Sequence, residues 1–262
     1  MVYLKAVSRR LAVTEATCWQ PLHNGPSATL ATSPVRSCRD GNRLKGRSTS
    51  QRMGETMSLE WSLERIGRAG FIGILRGDDP DLLIERGMNL ADAGAKVLEV
   101  TLDSLDASRV FTTLREGLGE EVMLGVGTVL HPQTAIPSVA DWGAEFALSP
   151  VNPEGFIELS EEYGILAVPG AATPSELWTA HISGAGLVKL YPAATNWSPA
   201  MLAGLPAPMR QIRTIPTGGI APEQVEEWLD AGAFACGLGA GLTIEGADLL
   251  SSNILARRGV LR

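Results

Sequence analysis

From residue 58 onward, short apolar runs alternate with longer amphipathic ones. Eight of the short runs have strand length, at 71–76, 97–102, 123–129, 146–150, 166–171, 187–192, 212–217 and 234–239. Between them, the spacing of apolar positions predicts helices over 80–93, 106–116, 132–142, 153–163, 174–183, 199–204 and 222–231. Several open with proline behind a short polar residue (Asp79-Pro80, Asn152-Pro153, Thr173-Pro174), as a first helical turn favours. Glycine closes many of them, in the repeated pattern Ala93-Gly94-Ala95, Trp142-Gly143-Ala144, Ser183-Gly184-Ala185 and Ala231-Gly232-Ala233. A glycine there can take the left-handed cap that turns a helix back into the next strand. Eight strand and helix units within about 200 residues predict the α/β class and a (β/α)8 TIM barrel. The segment 58–69 is then an extra N-terminal helix closing the bottom. An open doubly wound sheet competes, but the first loop, Arg76-Gly77-Asp78-Asp79, lacks the Gly-rich fingerprint that such a sheet would more naturally carry.

Strand side chains alternate between faces, so parity sorts the residues of each run. Glu99 shares a face with Val97 and Thr101, whereas Leu98 and Val100 lie on the other. In the sixth run Lys189 shares a face with Leu187 and Tyr191, opposite Val188 and Leu190. One row of each strand is thus wholly apolar and suits the helices. The other holds a lone carboxylate or a lone amine, a layout that a packing core does not need. Burial disfavours a charged amine, and a neutral amine is a nucleophile able to condense with a carbonyl. Only two lysines, Lys96 and Lys189, follow residue 52. Arg76 at the end of the first strand and Thr128 at the end of the third place two more polar groups at the C-terminal mouth, where active sites of this fold lie. Each has a plainer reading: Glu99 and Lys189 as a buried ion pair, Arg76 as a surface residue, Thr128 as an ordinary β-branched strand residue.

Composition separates two regions. Residues 1–52 carry nine basic and two acidic side chains, whereas the remaining residues carry 13 basic and 27 acidic. The front segment is rich in Ser, Thr and Arg, and is read as a tail: an organellar transit peptide, or an upstream stretch with Met53 or Met57 as the start. The domain is then 53–262. So acidic a body argues against a nucleic-acid partner. No apolar run approaches the length of a spanning helix, which predicts a soluble protein without a membrane partner. The cysteines Cys18, Cys38 and Cys236 form neither a disulfide framework nor a metal spacing, which suits the cytoplasm, or a plastid if the tail is a transit peptide. His23, His131 and His181 form no metal-ligand motif.

Glycines recur where barrels often bind phosphate, in Pro216-Thr217-Gly218-Gly219 after the seventh strand and Gly237-Leu238-Gly239-Ala240-Gly241 after the eighth. Ordinary turn chemistry explains either one alone. Their occurrence at both loops favours a phosphorylated substrate.

Taken in order, Glu99-Val100-Thr101-Leu102, Gly125-Val126-Gly127-Thr128-Val129, Ser149-Pro150, Pro169-Gly170, Lys189-Leu190-Tyr191-Pro192 and Pro216-Thr217-Gly218-Gly219 make the body resemble the 2-keto-3-deoxy-6-phosphogluconate (KDPG) and 4-hydroxy-2-oxoglutarate (KHG) aldolases over roughly residues 58 to 245. The resemblance implies a class I aldolase without metal or other cofactor, assembled as a homotrimer. It makes Lys189 the amine that forms the Schiff base and Glu99 the proton shuttle. Thr128 and Pro150 match positions bordering the pyruvate, Tyr191 an aromatic beside the lysine, and Thr217, Gly218, Gly219, Gly239 and Ala240 the phosphate end. The implied reaction cleaves KDPG to pyruvate and glyceraldehyde 3-phosphate, and extends to 4-hydroxy-2-oxoglutarate, which yields pyruvate and glyoxylate.

Two departures matter. The best-known bacterial branch places an arginine for the pyruvate carboxylate four residues after the glutamate, where this chain has Asp103, an acid that would repel it. However, Ile74-Leu75-Arg76-Gly77 is similar to the branch that includes 2-keto-3-deoxy-6-phosphogalactonate aldolases, which assigns carboxylate recognition to Arg76. Ala240 stands where some relatives have serine, leaving phosphate affinity to backbone N–H groups. The unphosphorylated keto acid as main substrate, the galactonate epimer, and a non-catalytic phosphate-binding barrel are the alternatives.

Overall fold

The computed structural model describes residues 49–260, with side chains from 59 to 257. The first helix, α1 (Thr49–Ala69), starts nine residues before the expected position 58. The rest of the expected tail, residues 1–48, lies outside the described residues. Every apolar run read as a strand contains one: β1 (Phe71–Leu75), β2 (Val97–Thr101), β3 (Met123–Gly127), β4 (Phe146–Leu148), β5 (Leu166–Val168) with β6 (Gly170–Ala171), β7 (Val188–Leu190), β8 (Thr214–Pro216) and β9 (Cys236–Leu238). The fifth run is split at Pro169, which has no N–H to give to a ladder.

All the strand pairs are parallel. They form a six-stranded sheet in the order β5-β4-β3-β2-β1-β9 and a three-stranded sheet in the order β6-β7-β8. The α/β class and strand direction therefore match the expectation, but the ladder is divided between two sheets and is not one continuous ring. Between β8 and β9 the link is an isolated parallel bridge, Thr217 to Gly237. Register sets Glu99 level with Ile74 on one side and Gly125 on the other, and Lys189 level with Gly170 and Ile215.

Helices fill the crossovers: α2 (Pro80–Asp92), α3 (Ala107–Leu118), α4 (Pro132–Asp141), α5 (Phe156–Glu162), α6 (Pro174–Ile182), three short ones at α7 (Ala193–Asn196), α8 (Pro199–Ala203) and α9 (Ala207–Arg210), then α10 (Val225–Asp230) behind a 3-10 turn. Asp79 caps α2 by accepting from the amides of Asp81 and Leu82, and Thr173 with Glu176 forms a capping box on α6. Asn152-Pro153 does not start a helix; α5 begins after Gly155. At the four Gly-Ala closures the glycine φ lies between 84° and 104°. The alanine that follows donates to the carbonyl five residues back, as in Ala95 to Leu90 and Ala233 to Trp228, which closes the helix and aims the chain at the next strand.

The alternation of faces sorts the apolar side chains into two clusters. Leu98, Val100, Val188 and Leu190 pack with the helices. Ile72, Val97, Met123, Phe146, Leu166, Leu187, Ile215 and Ala235 form a second cluster with Leu63 and Ile66 of α1. Residues of both sheets thus meet on one inner face, closed at the N-terminal ends of the strands by α1. Arg65 of α1 is fixed there by Glu145, whose carboxylate also takes Arg115 and the Leu124 amide. A last helix, α11 (Ile244–Val260), was not expected from the sequence; it buries Ala247, Leu250 and Ile254 in the outer cluster. No described helix is long and apolar enough to cross a membrane.

Cys236 is wholly buried in β9, and burial pushes its thiol up to about 12. Only a thiolate is a good nucleophile. Iodoacetamide at neutral pH is expected to leave Cys236 unmodified in the native protein and to label it after unfolding, as read by peptide mass spectrometry. Fast labelling of the native chain at this residue would contradict the burial.

Candidate active site

Beyond the inner apolar cluster, toward the C-terminal ends of the strands, polar side chains replace apolar ones on the same face. Glu99 and Lys189 are nearly inaccessible, with 1% and 5% of their side-chain surface exposed, and lie 3.9 Å apart from Nζ to Oε1. That separation is too long for a hydrogen bond. Neither carboxylate oxygen of Glu99 has a hydrogen-bond partner among the described residues. Taking two such ions out of water costs several kcal/mol per ion, recovered only with good geometry and further hydrogen bonds. A pair this loose is poorly arranged as a structural ion pair. It is well arranged to hold a carbonyl carbon on the nitrogen while the carboxylate reaches the groups attached to that carbon.

Gly127 makes room for the carboxylate. A Cβ at this position in β3 would overlap the Glu99 head group. Gly125, two residues earlier on the same face, is likewise covered by the Phe146 ring. The glycines of Gly125-Val126-Gly127 therefore serve close packing across β3. The Tyr191 ring lies 5.3 Å from the Lys189 ammonium, within cation–π range.

At the mouth, Arg76 follows β1 and is half exposed. Its Nη2 donates to Thr128 Oγ1 at 2.7 Å and its Nε to Thr101 Oγ1 at 3.4 Å. Thr128 has φ 61°, which a β-branched residue rarely adopts. This turns the chain sharply at the end of β3, where the Thr128 hydroxyl accepts from the arginine. Asp103 stands 3.5 Å from Arg76 Nε. The acid that the sequence suggested would repel a substrate carboxylate is paired with the guanidinium, and helps to aim it.

A cavity of about 560 Å³ joins these groups, well within the range of small-molecule sites. Of the residues singled out in the sequence, Lys189, Glu99, Arg76, Tyr191, Thr217, Gly218, Gly219, Gly239 and Ala240 line it. Thr128 and Pro150 do not. Thr128 bonds through its hydroxyl to the lining residue Arg76, and Pro150 lies where the chain after β4 packs against Gly170, whose Cβ would strike the Pro150 carbonyl. Gly241 of the second glycine loop and Ile220 beside the first line the cavity too, as do Ile74, Arg86 and Ala221, which the sequence did not mark. Strand parity is the signal that could have found Ile74, two residues before Arg76 on the same face; Arg86, on a helix, gave no such signal.

The KDPG and KHG aldolase family model matches residues 64–257. Over 174 residues the chain is 31% identical to the 2-dehydro-3-deoxy-6-phosphogalactonate aldolase of Escherichia coli K12, covering 65% of this chain and 83% of the relative. It is 33% identical over 175 residues to the KHG/KDPG aldolase of the same organism, covering 65% and 81%. Among solved structures it is similar to the KDPG aldolase of Legionella pneumophila with pyruvate captured as a covalent carbinolamine intermediate, at TM-score 0.60 and 26% identity, covering 74% of this chain and 96% of that one. With the ordered motifs, the buried amine–carboxylate pair and these relatives in agreement, the chain belongs to the KDPG and KHG aldolases, and is an enzyme of the carbon–carbon lyase class.

Proposed function

We propose that the enzyme is a class I aldolase that cleaves a 2-keto-3-deoxy-6-phospho sugar acid to pyruvate and glyceraldehyde 3-phosphate, with Lys189 as the Schiff-base amine. The observation that carries this reading is the Lys189–Glu99 pair, buried on the inner face, 3.9 Å apart, and with neither carboxylate oxygen hydrogen-bonded among the described residues. The Legionella relative, which captured pyruvate as a carbinolamine, supports it.

In this mechanism the Lys189 nitrogen adds to the C2 carbonyl carbon, and Glu99 relays the protons as the carbinolamine loses water to become an iminium. Glu99 then takes the proton of the C4 hydroxyl. The C3–C4 bond breaks, C4 leaves as the aldehyde of glyceraldehyde 3-phosphate, and the electron pair left at C3 moves into the iminium to give an enamine. Glu99 returns a proton to C3, and water releases pyruvate from Lys189. Arg76 holds the carboxylate at C1. Thr217, Gly218, Gly219, Gly239 and Ala240 surround the far end, where the phosphate sits. Tyr191 packs along the chain between.

Arg76→Ala is expected to raise KM for the keto acid about 10- to 100-fold, with a smaller change in kcat, because one charge-assisted contact to the substrate is lost. Steady-state kinetics checks this; an unchanged KM would move carboxylate recognition to another group at the mouth.

KDPG is the substrate first implied by the motifs. Its C4 epimer, the phosphogalactonate, is a second reading favoured by Arg76 at the end of β1, and the similarity to the E. coli phosphogalactonate aldolase supports it. Cleavage rates on both epimers and on 4-hydroxy-2-oxoglutarate, with the sugar acids tested with and without phosphate, choose among them. A protein that cleaves none of these is a phosphate-binding barrel, not an aldolase of this substrate class. We propose further that the two sheets are arcs of one (β/α)8 barrel, a reading supported by the Thr217–Gly237 bridge, the single residue between β5 and β6, and the inner cluster shared by both sheets. The homotrimer implied by the family resemblance is carried as part of the same proposal.

A further inference from the structure

We propose that Arg86 supplies the side-chain cation that binds the substrate's phosphate and sets the preference for a phosphorylated acid, an inference that rests on the aldolase reading above. Ala240 carries no hydroxyl at the position where some relatives have serine, so the sequence left phosphate recognition to backbone amides. The structure adds a guanidinium. Arg86 lies in α2 and reaches across to the β9–α11 loop, where its Nη2 donates to the carbonyls of Gly239 at 2.9 Å and Leu242 at 3.2 Å. Those bonds use one nitrogen of a group with five N–H donors. Nε and Nη1 donate to no acceptor among the described residues, and no described carboxylate pairs with Arg86.

Arg86 lines the same cavity as Lys189, together with the glycine loops that follow β8 and β9. Gly218 and Gly219 have φ 95° and 79°, consecutive left-handed residues whose amides turn together. A side chain at Gly239 or Gly241 would meet nothing within 4 Å, so the β9 loop borders open space. A guanidinium without a carboxylate partner among the described residues, held by the β9–α11 loop beside glycine amides and in the cavity of the buried amine, is suited to a dianion. The planar fork of arginine matches phosphate oxygens, and the carbonyl bonds fix its direction before the ligand arrives. Arg76 and Arg86 would then hold the two charged ends of one substrate, carboxylate at the mouth and phosphate at the glycine loops, with the scissile bond between them over Lys189 and Glu99.

A structural role for Arg86 as a brace of the β9 loop predicts a different pattern, so the test compares substrates within one variant. Arg86→Met is expected to lower kcat/KM for the phosphorylated acid about 100-fold, mostly through KM, and the loss should exceed that on the unphosphorylated acid about 30-fold. Arg86→Lys, which keeps a charge but not the fork, should recover part of the difference. Inorganic phosphate should inhibit the wild-type enzyme competitively against the phosphorylated acid, and the methionine variant much less. Equal losses on both substrates, or undiminished phosphate inhibition in Arg86→Met, would overturn the assignment while leaving the aldolase reading standing. A wild-type enzyme that cleaves neither acid would overturn both.

Discussion

Lys189→Met is expected to reduce cleavage by at least about 10⁴-fold, because among the described residues no other amine lines the cavity to form the imine on which the electron pair from C3 must settle. Lys96, the other lysine beyond residue 52, is exposed at the opposite end of the second strand, before Val97. Methionine preserves most of the side-chain length beside Tyr191 while removing the amine. The substitution leaves Glu99 without its cation, and breaking a buried pair costs about 3–5 kcal/mol if the carboxylate stays charged. Some loss of thermal stability is therefore expected alongside a cooperative unfolding transition and a native-like circular dichroism spectrum. Retention of activity in a folded Lys189→Met protein would refute the Schiff-base mechanism.

The second large effect is expected from a residue that touches no substrate. Gly127→Ala would place a Cβ where the Glu99 carboxylate now stands, so the head group must move. The strand itself tolerates alanine, since Gly127 does not have positive φ and its carbonyl keeps its bond from the Leu102 amide at 2.9 Å. A displacement of about 1 Å of a catalytic group costs on the order of 100-fold in rate, and proton transfer is worth about 10²–10⁴. A fall in kcat of about 100-fold or more is expected, with KM changed far less, while pyruvate still forms a trappable adduct more slowly than in the wild type. Wild-type kcat in this variant would mean that the position of Glu99 is not critical to turnover.

What the sequence disclosed followed from its shortest period. Strands alternate strictly, so Glu99 and Lys189 were assigned to the face opposite Leu98, Val100, Val188 and Leu190, and the two apolar clusters divide in that way. The Gly-Ala closures were equally plain, since only a left-handed cap explains their recurrence. Other features depend on distance in space. Arg86 sits amid the polar positions of α2, and its partners at Gly239 and Leu242 are more than 150 residues away in sequence. Nothing local marks it. Pro169 splits the fifth strand because a proline inside an apolar run withholds one ladder donor, a signal present but not read as an interruption. The last helix was hidden by Gly246 and the polar Ser251-Ser252-Asn253 in its middle, although Ala247, Leu250 and Ile254 keep helical spacing. Pro150, named from family motifs alone, and Thr128, named also from its place at the end of the third strand, do not line the cavity; position along a strand is more legible in a sequence than contact with a ligand.

The claim on which the mechanism depends is that Lys189 Nζ bonds covalently to the keto carbon. Incubating the full-length enzyme with pyruvate, adding borohydride and sequencing its peptides by mass spectrometry tests it most directly. The predicted result is one adduct with the mass of a reduced pyruvate, on Lys189, with loss of aldolase activity in proportion to its yield. An unmodified Lys189 in enzyme that is active before treatment, or an adduct confined to another lysine, would contradict the account.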